Sequence, residues 1–431
     1  MRRVSAGEAA AAGLYARGWE PPAQAVAAVR AIVDAVRERG DAALAEYTRR
    51  FDGAELASGT RVSVPPYQEA KGLVSPEVAA AFELARARIV TFHERQRVQS
   101  QLQPEGDGSV SGWLVQPLRR VGLYVPGGSA VLSSSVLMNS IPAHVAGVAE
   151  IVVCSPPGRD GRLSDAVLFA CALCPWITEV HAVGGAQAIA ALAYGTQAIA
   201  PVEKIVGPGN VYVTEAKRQV YGTVGIDSLA GPSEVLVVAD ERARPEFVAG
   251  ELLAQAEHDP RARVVAASPS RVLLDAVAAL LEGSFARQTG RDEILEASLR
   301  DGTWLVDCAS LDQAIEVANS FAPEHLSVQT SDPWRLLGRF RNAGAIFLGD
   351  WTPVAAGDYV AGSNHVLPTS GAARYASGLR VADFARTVSV VAYSRERMAH
   401  DAAPLAALAD FEGLRAHARS ARIRAAGEGH E

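Results

Sequence analysis

The sequence of 431 residues is 49% hydrophobic and 21% charged, with 41 Lys and Arg against 48 Asp and Glu, a formal net charge of −7. A chain of this length buries a sizeable core in more than one domain, and its scattered cations form no basic stripe for nucleic acid. Even the Ala-rich stretch from Ala182 to Ala200 is broken by Gly184, Gln187, Gly195 and Gln197, so no membrane span is expected.

Residues 1–23 read as an N-terminal appendage. Arg2 and Arg3 are followed by SAGEAAAAGLYARG, which lacks the apolar run of a secretory leader. Helical periodicity marks residues 23–39 and 76–99, with a turn at FDG (51–53), so the first hundred residues are expected to be mainly helical. Short β-branched runs then alternate with helical stretches: VGLYV (121–125), EIVVC (150–154), EVHAV (179–183) and KIV (204–206). A second series comprises EVLVVA (234–239), RVVAA (263–267), TWLVDC (303–308), LSVQ (326–329) and AIFLG (345–349). This rhythm predicts an α/β fold of two halves, each a mostly parallel sheet covered by helices on both faces. From about Leu379 the chain is expected to turn helical and to end in a fraying GEGHE tail.

The four cysteines are too few for a disulfide framework, which fits the reducing cytoplasm. Cys171 and Cys174 form one C-x-x-C in DAVLFACALC, but no second pair completes a thiolate site; with Cys154 and Cys308 they read as buried core thiols.

Glycine-rich turns follow three of the runs: PGGSA (126–130), VGGAQ (183–187) and GPGN (207–210). At the carboxyl ends of parallel strands such turns can present helix N-termini to phosphate oxygens, although none satisfies G-x-G-x-x-G. A predicted helix over 245–258 carries Gln255 and His258 three residues apart, placing an amide oxygen and an imidazole on one face where a metal could take both. Asp358 in AAGDYVAG and His417 near the C-terminus are ligand types that spacing alone cannot bring to it. Glu324 and His325 in APEHL pair a carboxylate with an imidazole, the composition of two proton acceptors, provided that a loop conformation lets adjacent side chains converge. His365 in AGSNHVLP is a possible substrate contact, while His93, His144, His181, His400 and His430 receive no role.

The strings VGLYVPGG, VGGAQAIAALAYGT, KIVGPGNVYVTEAKR, AGPSEVLVVAD, LLAQAEHDP, APEHL, GAIFLGDW and GDYVAGSNHVLPTSG, in this order, resemble the histidinol dehydrogenase family. The likeness begins at VRERGDAALAEYTRRFDG (36–53), continues to EGLRAHARSARIR (412–424) and leaves only about the first twenty residues divergent. It implies NAD-linked oxidation of L-histidinol to L-histidine through the aldehyde, in the last steps of histidine biosynthesis. One zinc per subunit would be held by Gln255, His258, Asp358 and His417, with Glu324 and His325 as proton acceptors. Substrate contacts carry over to Ser233, His365 and Glu412 besides the metal ligands and His325, and cofactor contacts to Tyr124, Gln187 and Asn210. The resemblance further implies two incomplete Rossmann-like domains and a homodimer whose C-terminal appendage reaches the partner's site. The expected division joins 24–123 and 234–378 in a domain bearing metal and base residues. It assigns cofactor contacts to 124–233, with small helical appendages at 1–23 and 379–431.

The sequence departs from the family at Val354, where many members carry a glutamate able to meet the substrate's amino group; Val131, where proline is frequent, is neutral. The alternative is an NAD dehydrogenase of the same fold acting on another alcohol, such as a sulfonated diol.

Overall fold

The computed structural model describes residues 1–16, 18, 20–56, 59–127, 132–283, 285 and 290–426. Its strands, in chain order, are β1 (Arg2–Ser5), β2 (Gln101–Pro104), β3 (Val110–Pro117), β4 (Arg120–Tyr124), β5 (Glu150–Ser155), β6 (Glu179–Ala182) and β7 (Lys204–Val206). They continue with β8 (Gly225–Ile226), β9 (Glu234–Ala239), β10 (Arg263–Ser268), β11 (Thr303–Asp307), β12 (His325–Gln329), β13 (Ala345–Leu348) and β14 (Ala385–Ala392). The nine runs read as strands all form strands, with each end within one residue of expectation. Seven of these nine are apolar enough to be buried along nearly their whole length, as in EVLVVA of β9. The protein is therefore α/β with mostly parallel sheets.

Two compact units divide the chain. The larger comprises residues 1–96 and 118–384. It contains a parallel five-stranded sheet, ordered β6-β5-β4-β7-β8, and a parallel six-stranded sheet, ordered β1-β11-β10-β9-β12-β13. Apart from β1, each sheet begins at a central strand, winds to one side for three strands, and returns to place two on the other. This gives each sheet a topological switch point, at β4/β7 and β9/β12, where a crevice opens between diverging connections.

Alternation along the strands separates the faces. In β5, Ile151 and Val153 pack into one core with the helices Pro76–Glu94, Ser134–Ala146 and Asp165–Leu173. Val152 and Cys154 enter another with Ala23–Arg39, Asp41–Asp52 and Gly185–Tyr194. The helices at 23–52 use Val29, Ile32, Val33, Val36 and Leu44 to cover the five-stranded sheet, because their apolar stripes match its exposed face. The N-terminal segment also contributes β1, a parallel edge strand beside β11.

The smaller unit comprises residues 97–117 and 385–431. It contains an antiparallel sheet ordered β14-β3-β2 and the helices Arg395–Phe411 and Arg415–Ala425. The C-terminal appendage is consequently not helical throughout, since Ala385–Ala392 pairs residue for residue with β3.

All four cysteines are buried and free, as expected of core thiols. At the amino ends of β4, β5 and β6, the Arg120 side chain, 3% exposed, meets Glu150 at 2.6 Å and Glu179 at 3.0 Å. Replacing Arg120 by Met is expected to cost about 3–5 kcal/mol, because two carboxylates lose their buried cation; denaturant midpoints measure it. Hydrogen bonding to Arg120 holds Glu179 down at about 2. Because this folded value lies below the unfolded one, the stabilisation is complete above the ordinary carboxylate range and disappears as pH falls towards 2. The variant should lose that acid-side dependence.

Candidate active site

The two sheets contribute opposite edges to one cavity of about 1320 Å³ within the larger unit. From the five-stranded sheet come turns at the carboxyl ends of its strands, carrying Tyr124, Gln187 and Asn210. From the six-stranded sheet come its amino ends, carrying Ser233 and Glu324, with His258 and His365 beside them. Ligands of open parallel sheets ordinarily sit at carboxyl ends; here only one sheet obeys that rule. The volume exceeds that of a drug-sized pocket and suits a large ligand together with a small one.

Tyr124 ends β4, and its hydroxyl accepts the Gly185 N–H at 3.1 Å. Burial pushes that phenol up to about 12. The Gly185–Tyr194 helix has no side-chain cap from Gly184, and beyond the Gly185 N–H that Tyr124 takes, its first turn is a place where an anion can be received. Both side-chain amide atoms of Gln187 in its first turn are buried without hydrogen-bond partners.

The GPGN turn is held rigidly. A Cβ at Gly207, whose φ is 116°, would collide with the Tyr124 carbonyl oxygen, so glycine is required there. Asp227 accepts the Gly207 N–H at 2.8 Å and pairs with buried Lys217, whose ammonium donates to the Gly207 carbonyl oxygen at 3.1 Å. Asn210 caps the following helix through the N–H groups of Tyr212 and Val213. In the PGGSA turn, residues 128–130, and Val131 after it, lie outside the described residues.

Glu324 and His325 converge without an extended loop. Strand β12 begins at His325, and both side chains reach the first residue of neighbouring β9. Glu324 accepts the Glu234 N–H at 2.9 Å, while His325 Nδ1 donates to the Glu234 carbonyl oxygen at 3.0 Å. In its neutral form, with the proton committed at Nδ1, His325 would carry its lone pair at Nε2, a buried atom without a hydrogen-bond partner that lies 3.7 Å from Asp358 Oδ1. Burial lifts Glu324 to about 7. Burial would lower His325, but the carboxylates of Glu324 and Asp358 outweigh it and raise the imidazole.

The Pro245–Ala256 helix ends earlier than predicted. Gln255 is buried on its last turn, whereas His258 lies just beyond, its N–H donating to the Gln255 carbonyl oxygen at 3.3 Å. The surrounding protein lowers the His258 imidazole, against the pull of Asp358. Asp358 sits in the short Val354–Tyr359 helix, and His325 keeps its carboxyl low although burial opposes this. His365 Nδ1 donates to the Asp358 carbonyl oxygen at 3.1 Å, and its Nε2 lies 3.2 Å from Ser135 Oγ. Val354 is buried, and its N–H donates to Glu251 at 2.9 Å.

Gln255, His258, Asp358, Ser233, His365, Glu324 and His325 thus belong to the larger unit, as do Tyr124, Gln187 and Asn210. Glu412 and His417 belong to the smaller one and are exposed there. Among the described residues, no group of three or more His, Cys, Asp or Glu side chains has the geometry to hold a metal. Sequence reading missed Glu234, although a carboxylate heading the wholly apolar run EVLVVA was a signal for it. It also missed the Lys217–Asp227 clamp, for which no local pattern exists.

A family model described as Histidinol dehydrogenase matches residues 16–425. The chain belongs to the histidinol dehydrogenase family. Its relatives in that family include histidinol dehydrogenases of Heliobacterium mobile, 50% identical over 92% of each chain, and Geobacillus kaustophilus, 49% identical over 92% of this chain and 93% of that one. The crystal structure of histidinol dehydrogenase from Elizabethkingia anophelis superposes with a TM-score of 0.92 at 33% identity, covering 98% of both chains. Membership of a dehydrogenase family makes the chain an oxidoreductase.

Proposed function

We propose that the protein oxidises L-histidinol to L-histidine in two successive NAD-linked steps, with the aldehyde retained between them. The observation that carries this reading is one cavity lined at one end by the start of the Gly185–Tyr194 helix and at the other by Glu324, His258 and His365, with His325 next to Glu324 in the chain. Converting an alcohol to an acid removes four electrons, and each NAD accepts two as hydride. His325 Nε2 takes the hydroxyl proton as the first hydride leaves and releases it to solvent before the second oxidation. Glu324 then accepts a proton from water as it adds to the aldehyde, and His325 takes a hydrate proton as the second hydride departs. Ser233, His365 and Glu412 orient the substrate, together with Gln255, His258, Asp358 and His417. The dinucleotide lies along Tyr124, Gln187 and Asn210, its phosphates near the uncapped helix.

A neutral imidazole at His258, an ionised carboxylate at Asp358 and the amide of Gln255 form a donor set suited to zinc, for which His417 supplies the fourth ligand type. When bound, zinc supplies an electrostatic template for the substrate's nitrogen atoms. Engagement of Asp358 by a cation weakens its pull on His325 and favours the acceptor form of that imidazole. Glu412 and His417 come from a second copy of the chain in a homodimer. Mixing inactive Glu324→Ala and His417→Ala chains should then regenerate activity; no recovery would exclude the shared site.

The test is NADH formed per L-histidinol consumed. A ratio of about two supports the four-electron reaction, and a ratio of one with release of aldehyde overturns it. Turnover of a sulfonated diol without any of histidinol would transfer the same chemistry to the alternative substrate. Substituting Asp227→Ala, which frees the GPGN turn, should raise the KM for NAD about tenfold while changing kcat little; an unchanged KM would remove the clamp from cofactor binding.

A further inference from the structure

One wall of the cavity remains without an assigned use. The Asp41–Asp52 helix ends at Gly53, which adopts a left-handed cap at φ 68°. The last helical residue, Asp52, lines the cavity with Tyr124 and Gln187. Its Oδ2 atom is buried and has no hydrogen-bond partner. Burial raises the carboxyl to about 6, so it is mainly ionised at neutral pH, and its charge reaches the Tyr124 hydroxyl. A buried acceptor left unsatisfied costs stability, so its retention on a cavity wall calls for a donor from a ligand.

The neighbouring chemistry identifies that donor. Gln187 and the uncapped helix N-terminus provide amide groups suited to phosphate oxygens. Next to Asp52, Phe51 is 53% exposed and stacks on Tyr47 with ring centroids 5.7 Å apart, both lining the cavity. The wall therefore offers a site for phosphate, a carboxylate and an aromatic surface. These features match the pyrophosphate, ribose and heterocycle of an adenine dinucleotide. An ionised carboxylate accepts hydrogen bonds from a vicinal diol and repels a phosphate placed on it.

We propose that Asp52 binds the ribose diol of the adenosine half of the dinucleotide and thereby selects NAD over its 2′-phosphorylated counterpart. This rests on the reading that NAD occupies the cavity, and it assigns specificity to the turn FDG.

The experiment measures initial rates for wild type and Asp52→Asn with NAD, NADP and an NAD analogue lacking the adenosine 2′-hydroxyl. The substitution is expected to lower the preference for NAD over NADP, in kcat/KM, by about ten- to a hundredfold through a rise in the KM for NAD. The analogue should lose about tenfold against NAD in wild type and lose no more in Asp52→Asn, because the two changes remove the same contact. A general structural role predicts additive losses instead. Unchanged dinucleotide preference, or additive losses, would overturn the proposal. The analogue comparison in wild type alone decides the matter if the variant does not fold: no loss there refutes the contact. Wild type that reduces no NAD with histidinol, or with any other alcohol, sinks the dinucleotide reading and Asp52 with it.

Discussion

Replacement of His325 by Asn is expected to lower kcat for histidinol oxidation by about 10²- to 10⁴-fold, the usual contribution of a positioned general base. The argument rests on the commitment of Nδ1 to the Glu234 carbonyl oxygen, which leaves Nε2 as the ring's acceptor. Glu324→Gln should behave differently, although its steady-state rate also falls. A glutamine oxygen can still accept the Glu234 N–H, so the pair's geometry survives, but it cannot take a proton from water. Rapid mixing with NAD should therefore show a burst of about one NADH per site, followed by slow turnover while aldehyde remains bound. The His325→Asn variant should show no burst. Identical traces for both variants would refute the division of labour between the two residues.

Exhaustive treatment with a strong chelator should reduce turnover at least about 10²-fold, and added zinc should restore it. His258→Ala is expected to require a much higher zinc concentration for the same rate, because it removes a neutral imidazole donor. Metal content measured on purified protein checks the claim without an assay of activity: about one equivalent per chain for wild type, and far less for His258→Ala. Full activity in metal-free protein would remove zinc from the mechanism and leave Asp358 solely as the partner of His325.

Much of this arrangement was legible in the chain because buried parallel strands are written as continuous apolar runs, which need no tertiary context to recognise. Strand β14 was missed because every one of its residues is partly or fully exposed, so no buried apolar run marks it, and its partner β3 lies more than 250 positions earlier. Its pairing register could not be read locally. The destination of the helices at 23–52 was hidden for a related reason: an apolar stripe declares that a helix packs, but not which sheet receives it. At the site, residue types in APEHL indicated proton transfer. Their convergence depends on the β9–β12 pairing, which brings the Glu234 backbone between them. Asp52 lay in a turn that was recognised only as punctuation, since an unsatisfied carboxylate oxygen becomes visible only when its surroundings are known.

The burial of the cysteines turns the protein into its own unfolding clock. Burial pushes the thiols of Cys154, Cys174 and Cys308 to about 12 and raises that of Cys171 as well, so the native chain presents almost no thiolate to an alkylating reagent. With excess iodoacetamide, modification is expected to proceed no faster than the opening of the cores that enclose each sulfur, and the substrates should slow it by stabilising the folded state. Mass spectrometry resolves the sites: Cys154 and Cys171 report on opposite faces of the five-stranded sheet, and Cys308 reports on the six-stranded one. Equal rates at all of them would mean that the two sheets open as one cooperative body, whereas faster labelling of Cys308 would show the six-stranded sheet yielding first.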